Sequence, residues 1–389
     1  MNILLLTGPL YPKAGNNTNL LAKLIPLLGA QNTLQLLSAV PSAGSTGLPD
    51  RCLGLPALWV RDDRRDLSRK MIYPLLSKAV DRRGYSDYLS AKLLYDTVKK
   101  HSRKTSFDAV ISTMEPFPSA DAASRIKNAK KILYLMDPPA CISNGRSTPY
   151  RDRRMKKLLS AQDAILTTPF IREALIEHGF GFCDHKMIPV GFPMIEAHGP
   201  HPSERIDGKI RLLFCGWLYS DIRSPKYYLD IISRLDERFE VTFMGKECQL
   251  LQKRLPTETR ASLITLPQQP YETALQAMAD ADILINIGNS VPVHMPSKTL
   301  EYINTGKPFV NFYKMDDCPT LYYTKRYPLC LNMPEKDTDL DAAARRFIDF
   351  CVESKGRTVD RAYLEREYKD CTPEYIAQKI LDALGDHHD

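Results

Sequence analysis

Long apolar runs and paired cysteines are missing from this sequence, and so are internal repeats and low-complexity tracts. No stretch approaches the ~18 consecutive apolar residues of a membrane span. Met1-Asn2 leads straight into ILLL without the basic start of a signal peptide, so the expectation is a soluble chain with the cytosol as its default compartment. The nine cysteines are odd in number and never form a CxxC pair, which argues against a disulfide framework and against a zinc site. Nor are the basic residues interleaved with a stacking platform of aromatics, and no nucleic-acid motif occurs; nucleic acid is therefore not an expected partner.

What is present is length and an uneven charge. At 389 residues, 43% of them apolar, the chain exceeds one ordinary core and suggests two domains. Its net charge of +7 conceals an asymmetry: residues 1–200 carry +11 and residues 201–389 carry −4. The basic N-terminal half suits an anionic membrane surface as a partner. Within it, RDLSRKMIYPLLSKAVDRRGY (residues 65–85) alternates basic residues with Met71, Ile72, Leu75, Leu76, Ala79 and Val80 at helical spacing, interrupted by Pro74. Such a stretch either lies on an anionic leaflet or packs its apolar stripe on a core.

Strand and helix patterns alternate along most of the chain. NILLLT, TLQLLSAV, FDAVISTM, KKILYLMD and AQDAILTT read as strands with helical stretches between them, which predicts a parallel, doubly wound sheet. Periodicity fades over residues 194–208, rich in Pro, Gly and His, and the alternation then restarts with KIRLLFCGW, FEVTFMG, ASLITLP, DILINIG and KPFVNFY as strands; CQLLQKRL between them reads as a helix. The predicted organisation is a Rossmann-like domain over 1–195, a linker over 196–208, a second Rossmann-like domain over 209–370, and a C-terminal helix over 371–389 able to pack back on the first domain. Two such domains face one another across a cleft at the carboxyl ends of their strands, where ligands bind.

The segment VPVHMPSKTLEYINTGKPFV, residues 291–310, concentrates chemistry. Pro296 and Ser297 open a helix whose first N–H groups have no partner within the helix, so an anion placed there meets those donors and the positive end of the dipole. Lys298 adds a point charge. Glu301 sits one turn further, where its carboxylate can accept two hydrogen bonds from a vicinal diol such as ribose, and Gly306 ends the helix. Phosphate beside sugar describes a nucleotide. The competing explanation is a plain Ser297 cap with an exposed Lys298–Glu301 pair worth a few tenths of a kcal/mol.

The block ADADILINIGNSVPVHMPSKTLEYINTGKPFV resembles the nucleotide-sugar half of GT-B glycosyltransferases of the group-one, retaining family, whose members often read PSKxxEYxxxGKP. LTGPLYPKAGNNTN, YLMDPP, IPVGFP and FCGWLYSDIRSPKYYLDII resemble, in order, that family's first loop, acceptor-side strand end, domain junction and second-domain opening. The resemblance implies that the N-terminal domain binds the acceptor and the C-terminal domain the nucleotide-sugar donor. Arg223 and Lys298 would then be the cations on the donor diphosphate, with Ser297, Gly15 and Asn17 beside it; Glu301 would hold the ribose and Leu266, Pro267 and Gln268 the base. Asp137, before two prolines, and Glu115 would act on the acceptor hydroxyl.

One departure concerns the sugar. Many family members carry two glutamates eight positions apart, and here the first position is Val293; His294 is the nearby polar group able to replace that contact. Metal is not expected: the acidic tandem Asp337 to Asp341 precedes a helix and is explained by capping and the dipole. No cofactor is expected beyond the donor substrate itself. The reading is a metal-independent glycosyltransferase of polysaccharide biosynthesis, cytoplasmic or peripheral on the inner face of the plasma membrane. It moves a hexose or N-acetylhexosamine from a nucleotide diphosphate sugar to a glycan or lipid-linked glycan acceptor. Two alternatives stay open: a non-catalytic GT-B subunit supporting a partner transferase, and a nucleotide-sugar 2-epimerase-like isomerase.

Overall fold

The structure, a computed structural model, describes residues 1–7, 16–40, 50–61, 82–102, 106–114, 117–137, 139, 142, 149–196, 202–203, 208–218, 222–254, 257 and 259–385, the side chains of 16–18, 39–40, 61, 82–87 and 149–151 excepted. They form two compact units: Met1–Pro193 with Asp370–Asp389, and Met194–Lys369.

The first unit is built on eight strands: β1 (Asn2–Thr7), β2 (Thr33–Val40), β3 (Arg51–Cys52), β4 (Leu55–Arg61), β5 (Ala109–Thr113), β6 (Lys130–Leu135), β7 (Ala164–Thr167) and β8 (Met187–Pro189). Their order is β3-β4-β2-β1-β5-β6-β7-β8, parallel throughout except for the β3–β4 pair. β5 is buried along its whole length and β1 at all but its first residue. That is why these strands read as unbroken apolar runs instead of alternating ones: helices cover both faces.

β3 and β4 were not expected from the sequence. Gly54 and Pro56 make RCLGLPALWV look like a loop, yet Leu53 (φ 52) and Gly54 (φ 76) form the turn of a small hairpin at the sheet edge, where Pro is tolerated. The basic amphipathic stretch falls mostly within 62–81, outside the described residues.

The second unit is a six-stranded, all-parallel sheet: β9 (Ile210–Cys215), β10 (Phe239–Met244), β11 (Ser262–Leu266), β12 (Ile283–Ile287), β13 (Phe309–Tyr313) and β14 (Cys330–Pro334) in the order β11-β10-β9-β12-β13-β14. The chain steps outward from β9 in both directions, so the order reverses between β9 and β12. Open α/β sheets bind ligands at the carboxyl edge of such a point. Tyr228, Phe243, Phe312 and Phe347 anchor the core on one face. On the other, Asn286, Asn311 and Asn332 lie opposite one another and are bonded side chain to side chain, 2.7 Å from Asn286 to Asn311 and 2.8 Å from Asn311 to Asn332. The helix expected over CQLLQKRL is a six-residue 3₁₀ turn, Cys248–Lys253, preceded by Glu247 at φ 67; a left-handed residue at its start and no side-chain cap leave nothing to nucleate an α-helix.

Residues from both ends of the chain meet in the first unit. Helix Pro373–Gly385 buries Ile376, Ala377, Ile380 and Leu384 against helix Ile25–Gly29 and β6, and Lys130 Nζ donates to the Leu384 carbonyl at 2.8 Å. At the junction, Tyr134 Oη donates to the Gly191 carbonyl at 2.5 Å and the Gly191 N–H donates to the Asp370 carbonyl at 2.8 Å. A Cβ on Gly191 would collide with Cys371 Sγ. Gly191→Ala is therefore expected to cost about 1–3 kcal/mol of stability by overpacking. Cys371→Ala in the same chain should recover part of that loss in chemical denaturation; an unchanged midpoint for Gly191→Ala would show that the junction is loose.

Candidate functional site

The reversal between β9 and β12 places two loops side by side. Arg223, in the loop after β9, is only 7% exposed. Its Nε donates to Asn289 Oδ1 at 3.0 Å, and its Nη1 donates to the Trp217 carbonyl at 3.0 Å. Asn289 follows β12, and with its oxygen taken by Arg223 its amide nitrogen must face His294, at 2.8 Å from both the carbonyl and Nδ1. Nδ1 therefore accepts, and a neutral His294 carries its proton on Nε2. Between them Val293 adopts φ 65, a left-handed conformation costly for a β-branched side chain.

Three consecutive loops are stitched by backbone contacts. The Gly216 N–H donates to the Met244 carbonyl at 2.9 Å, and the Gly245 N–H donates to the Leu266 carbonyl at 3.1 Å. Gly245 has φ 139, and a Cβ there would run into the Gly216 carbonyl, so the position requires glycine twice over. Trp217 lies beside them, its Nε1 donating to Glu247 Oε1 at 3.1 Å and its ring under Lys246 Nζ at 3.5 Å.

Helix Lys298–Thr305 closes the site. Ser297 precedes it, and its side chain makes no capping hydrogen bond; Gly306 ends it at φ 73. Lys298 Nζ is paired directly with Glu301, and both side chains are mostly shielded, at 22% and 14% exposure. Burial disfavours the Lys298 charge, but Glu301 outweighs it and the ammonium is held above its ordinary value. Tyr302 Oη lies 3.0 Å from the Cys215 N–H and donates to the Cys215 carbonyl at 3.1 Å, which ties the helix to the end of β9. Burial pushes the Cys215 thiol up, with Lys298 and Glu301 the charges nearest it, while the Tyr302 hydroxyl is raised by burial and also feels Glu301 and Arg223. Arg223, Lys298 and Glu301 thus surround one strand end.

No protein-family description matches the chain, and no curated protein does. Solved structures do. A lipopolysaccharide outer core galactosyltransferase, WaaB, aligns over 100% of both chains at 14% identity with a TM-score of 0.62. HepE of Anabaena in complex with UDP aligns over 99% of this chain and 100% of its own, at 13% identity and a TM-score of 0.65. Sucrose-phosphate synthase from Thermosynechococcus elongatus aligns over 99% and 98%, at 12% identity and a TM-score of 0.67. The chain has the GT-B fold.

Of the residues singled out by the resemblance to GT-B transferases, the second unit gathers Arg223, His294, Ser297, Lys298 and Glu301 around the ends of β9 and β12. Leu266 ends β11, and Pro267 and Gln268 follow it, with Gln269 Nε2 donating to the Pro267 carbonyl at 3.1 Å. Tyr271 then opens the next helix, its hydroxyl raised by burial and by Glu301. Asp137 belongs to the first unit, just beyond β6 and partly buried. Gly15 and Glu115 lie outside the described residues, as does the Asn17 side chain; the Asn17 backbone is in helix Asn16–Ala22. In the acidic tandem, Asp339 caps Ala342 N–H at 2.9 Å, Asp337 pairs with Arg346 at 3.1 Å and Asp341 with Arg234 at 2.5 Å.

Sequence reasoning missed Asn289, although a Gly-Asn pair directly after a buried strand at the reversal was a usable signal. It also missed Glu335, the residue after β14, whose carboxyl is pushed up to about 7 by burial, with Lys314 pulling the other way. A carboxyl raised on folding destabilises the fold once ionised, so its cost is absent below about 4.5 and complete above about 7. Glu335→Gln is expected to stabilise the protein above neutrality by on the order of 1–2 kcal/mol, after allowance for partial exposure, and to change nothing near the ordinary carboxylate range. Unfolding temperatures at both ends of that window decide it; a difference that does not vary with pH would refute the burial of this carboxyl.

Proposed function

We propose that the chain is a glycosyltransferase that moves a hexose or N-acetylhexosamine from a nucleotide diphosphate sugar to a glycan or lipid-linked glycan, without a metal ion. The observation that carries this is the buried Arg223, oriented by Asn289, beside the Lys298–Glu301 pair at the point where the strand order reverses. As a glycosidic bond to a nucleoside diphosphate breaks, negative charge accumulates on the leaving phosphate, and cations already fixed there stabilise it without reorganising. Arg223 suits that task, since its planar fork is held by two bonds before substrate arrives.

The Lys298–Glu301 pair implies an exchange on binding. The ribose diol takes the Glu301 carboxylate, and the released Lys298 ammonium turns to the diphosphate. Ser297, whose hydroxyl is not spent on the helix, adds a donor at the same end. Leu266, Pro267 and Gln268 would meet the base, Gly15 and Asn17 the diphosphate from the first unit, and Asp137 or Glu115 the acceptor hydroxyl. HepE was solved with UDP and with UDP-glucose, which supports a uridine nucleotide first. Work in polysaccharide synthesis at the inner face of the plasma membrane belongs to the same proposal; among the described residues no helix is long and apolar enough to cross a membrane. Val293, where many relatives carry glutamate, favours a second reading in which nucleotide is bound but no sugar is transferred.

Thermal stabilisation by UDP, GDP, ADP, dTDP and CMP, each with and without magnesium, tests the donor site. One nucleoside diphosphate is expected to stabilise the protein equally in both conditions, by about 2.7 kcal/mol at 100 times its dissociation constant; no shift with any of them would sink the proposal. Glu301→Ala is expected to weaken that nucleotide about tenfold or more, the loss of hydrogen bonds to a charged group. Unchanged affinity would remove Glu301 from the ribose. Sugar transfer or donor hydrolysis by the purified chain separates the transferase from the binding-only reading.

A further inference from the structure

The carboxyl edge of the second sheet holds charged groups to which the donor reading gives no task. Lys314 directly follows β13 and Glu335 directly follows β14, and both are half-buried. Their strands are in register, Tyr313 opposite Pro334, and the Glu335 N–H donates to the Tyr313 carbonyl at 2.8 Å, so the two side chains leave neighbouring points of one edge. Lys314 also adjoins the loop that holds Arg223. The Gly288 N–H donates to the Phe312 carbonyl at 2.7 Å, a Cβ on Gly288 would lie 3.4 Å from Tyr313 Cα, and the next residue is Asn289, which receives Arg223 Nε.

Among the described residues, neither the Lys314 ammonium nor the Glu335 carboxyl has a hydrogen bond or an ion pair. Tyr227, in the first turn of helix Lys226–Ile232, adds a third such group: it is 8% exposed, its hydroxyl has no partner, and its ring packs on Phe312 at 6.0 Å. A buried polar group normally finds a partner, and the unbonded Tyr227 hydroxyl with two half-buried, unbonded charges along an edge beside a buried guanidinium makes an arrangement suited to a ligand.

We propose that Lys314 is a further cation for the donor diphosphate, and that Glu335 regulates it by ionising. The inference rests on the donor reading above. An anion seated against Arg223 meets a second positive charge when Lys314 is available to it. Ionised Glu335 competes for that ammonium and repels the anion, whereas protonated Glu335 does neither.

The surroundings favour this division of labour. Burial, then Arg223, lower Lys314 from its ordinary value, and Glu335 and Cys318 act against them. The Cys318 thiol is raised by burial and is 3.2 Å from Thr320 Oγ1. Asp337, Arg346, Glu335 and Asp230 are the charges around the Tyr227 hydroxyl, which is itself raised by burial, and Asp337 and Arg346 pair with each other. Asp316 and Lys336 form a separate exposed pair at 2.8 Å. Glu335, at about 7, has its midpoint where pH can set the state of the site.

Titration calorimetry with UDP, and with GDP and ADP as alternative probes, provides the test at about one pH unit on either side of the Glu335 midpoint. The last ionisation of the nucleotide itself, about 6, strengthens binding as pH rises and so opposes the predicted trend. The parent is expected to bind more weakly at the higher pH. Glu335→Gln should bind more tightly there and keep only the rise with pH that the nucleotide's own ionisation gives. Lys314→Met should lose about tenfold at the lower pH, as removal of a charge-assisted contact does, and less at the higher pH, where ionised Glu335 already competes for the ammonium; Lys314→Arg should retain most of the affinity. Opposite signs for the two neighbours cannot come from loosened packing. If Lys314→Met binds like the parent with the same pH profile, or Glu335→Gln binds more weakly, the inference fails while the donor reading stands; if the parent binds none of the three nucleotides, both fail together.

Discussion

A guanidinium only 7% exposed is tolerated in a protein interior when hydrogen bonds replace the water it has lost, and the second unit is arranged to supply them to Arg223. One comes from a side chain after β12 and one from a carbonyl after β9, so the charge is held across the reversal in strand order and not within a single loop. Two fixed bonds also set the plane of the fork. Lysine could replace the charge but not that orientation, because its ammonium is a point on a flexible stem.

Holding Arg223 in place requires the loops to be in place, and these depend on strand register. β12, β13 and β14 are followed directly by Gly288-Asn289, Lys314 and Glu335 respectively. A slip of one residue between any two of these strands would send each of those side chains to the opposite face. The ladder of Asn286, Asn311 and Asn332 opposes such a slip, because its amides satisfy one another only in the observed register. Asn311 Nδ2 also donates to Thr320 Oγ1 at 3.1 Å, and Thr324 Oγ1 donates to Asn332 Oδ1 at 2.7 Å. A buried polar network completed in this way specifies one arrangement, since any other leaves donors and acceptors stranded.

The same dependence on pairing explains what could be read from the sequence. The alternation of apolar runs with helical stretches disclosed two α/β sheets, because strands buried on both faces are apolar throughout. The Ser297–Gly306 segment was legible since its start, charge spacing and glycine stop are all local, and the helix ends at Gly306 in the left-handed conformation expected of it. Hairpin β3–β4 was hidden by a proline and a glycine that an edge accepts and a central strand would not. Asn289, Lys314 and Glu335 were hidden for a different reason: each is unremarkable among its sequence neighbours, and they become a group only when strands some twenty residues or more apart are laid side by side. The first-loop candidate Gly15 and the acceptor-side candidate Glu115 fall outside the described residues.

Val293 and His294 show how a departure from a familiar pattern can carry information. A β-branched residue at φ 65 costs on the order of 1–3 kcal/mol, and the strain persists here because Asn289 binds His294 twice just beyond it. Asn289 is in turn fixed by Arg223, so the shape of the turn follows from burial of the cation. In the pattern this segment resembles, a glutamate at the Val293 position is a charged acceptor for sugar hydroxyls. Valine brings no polar group to that point, and His294, the polar side chain next to it, is committed through Nδ1 to the Asn289 amide. Under the proposed function the sugar contact falls to His294 or to groups outside this turn, so the departure bears on the choice of donor as well as on catalysis.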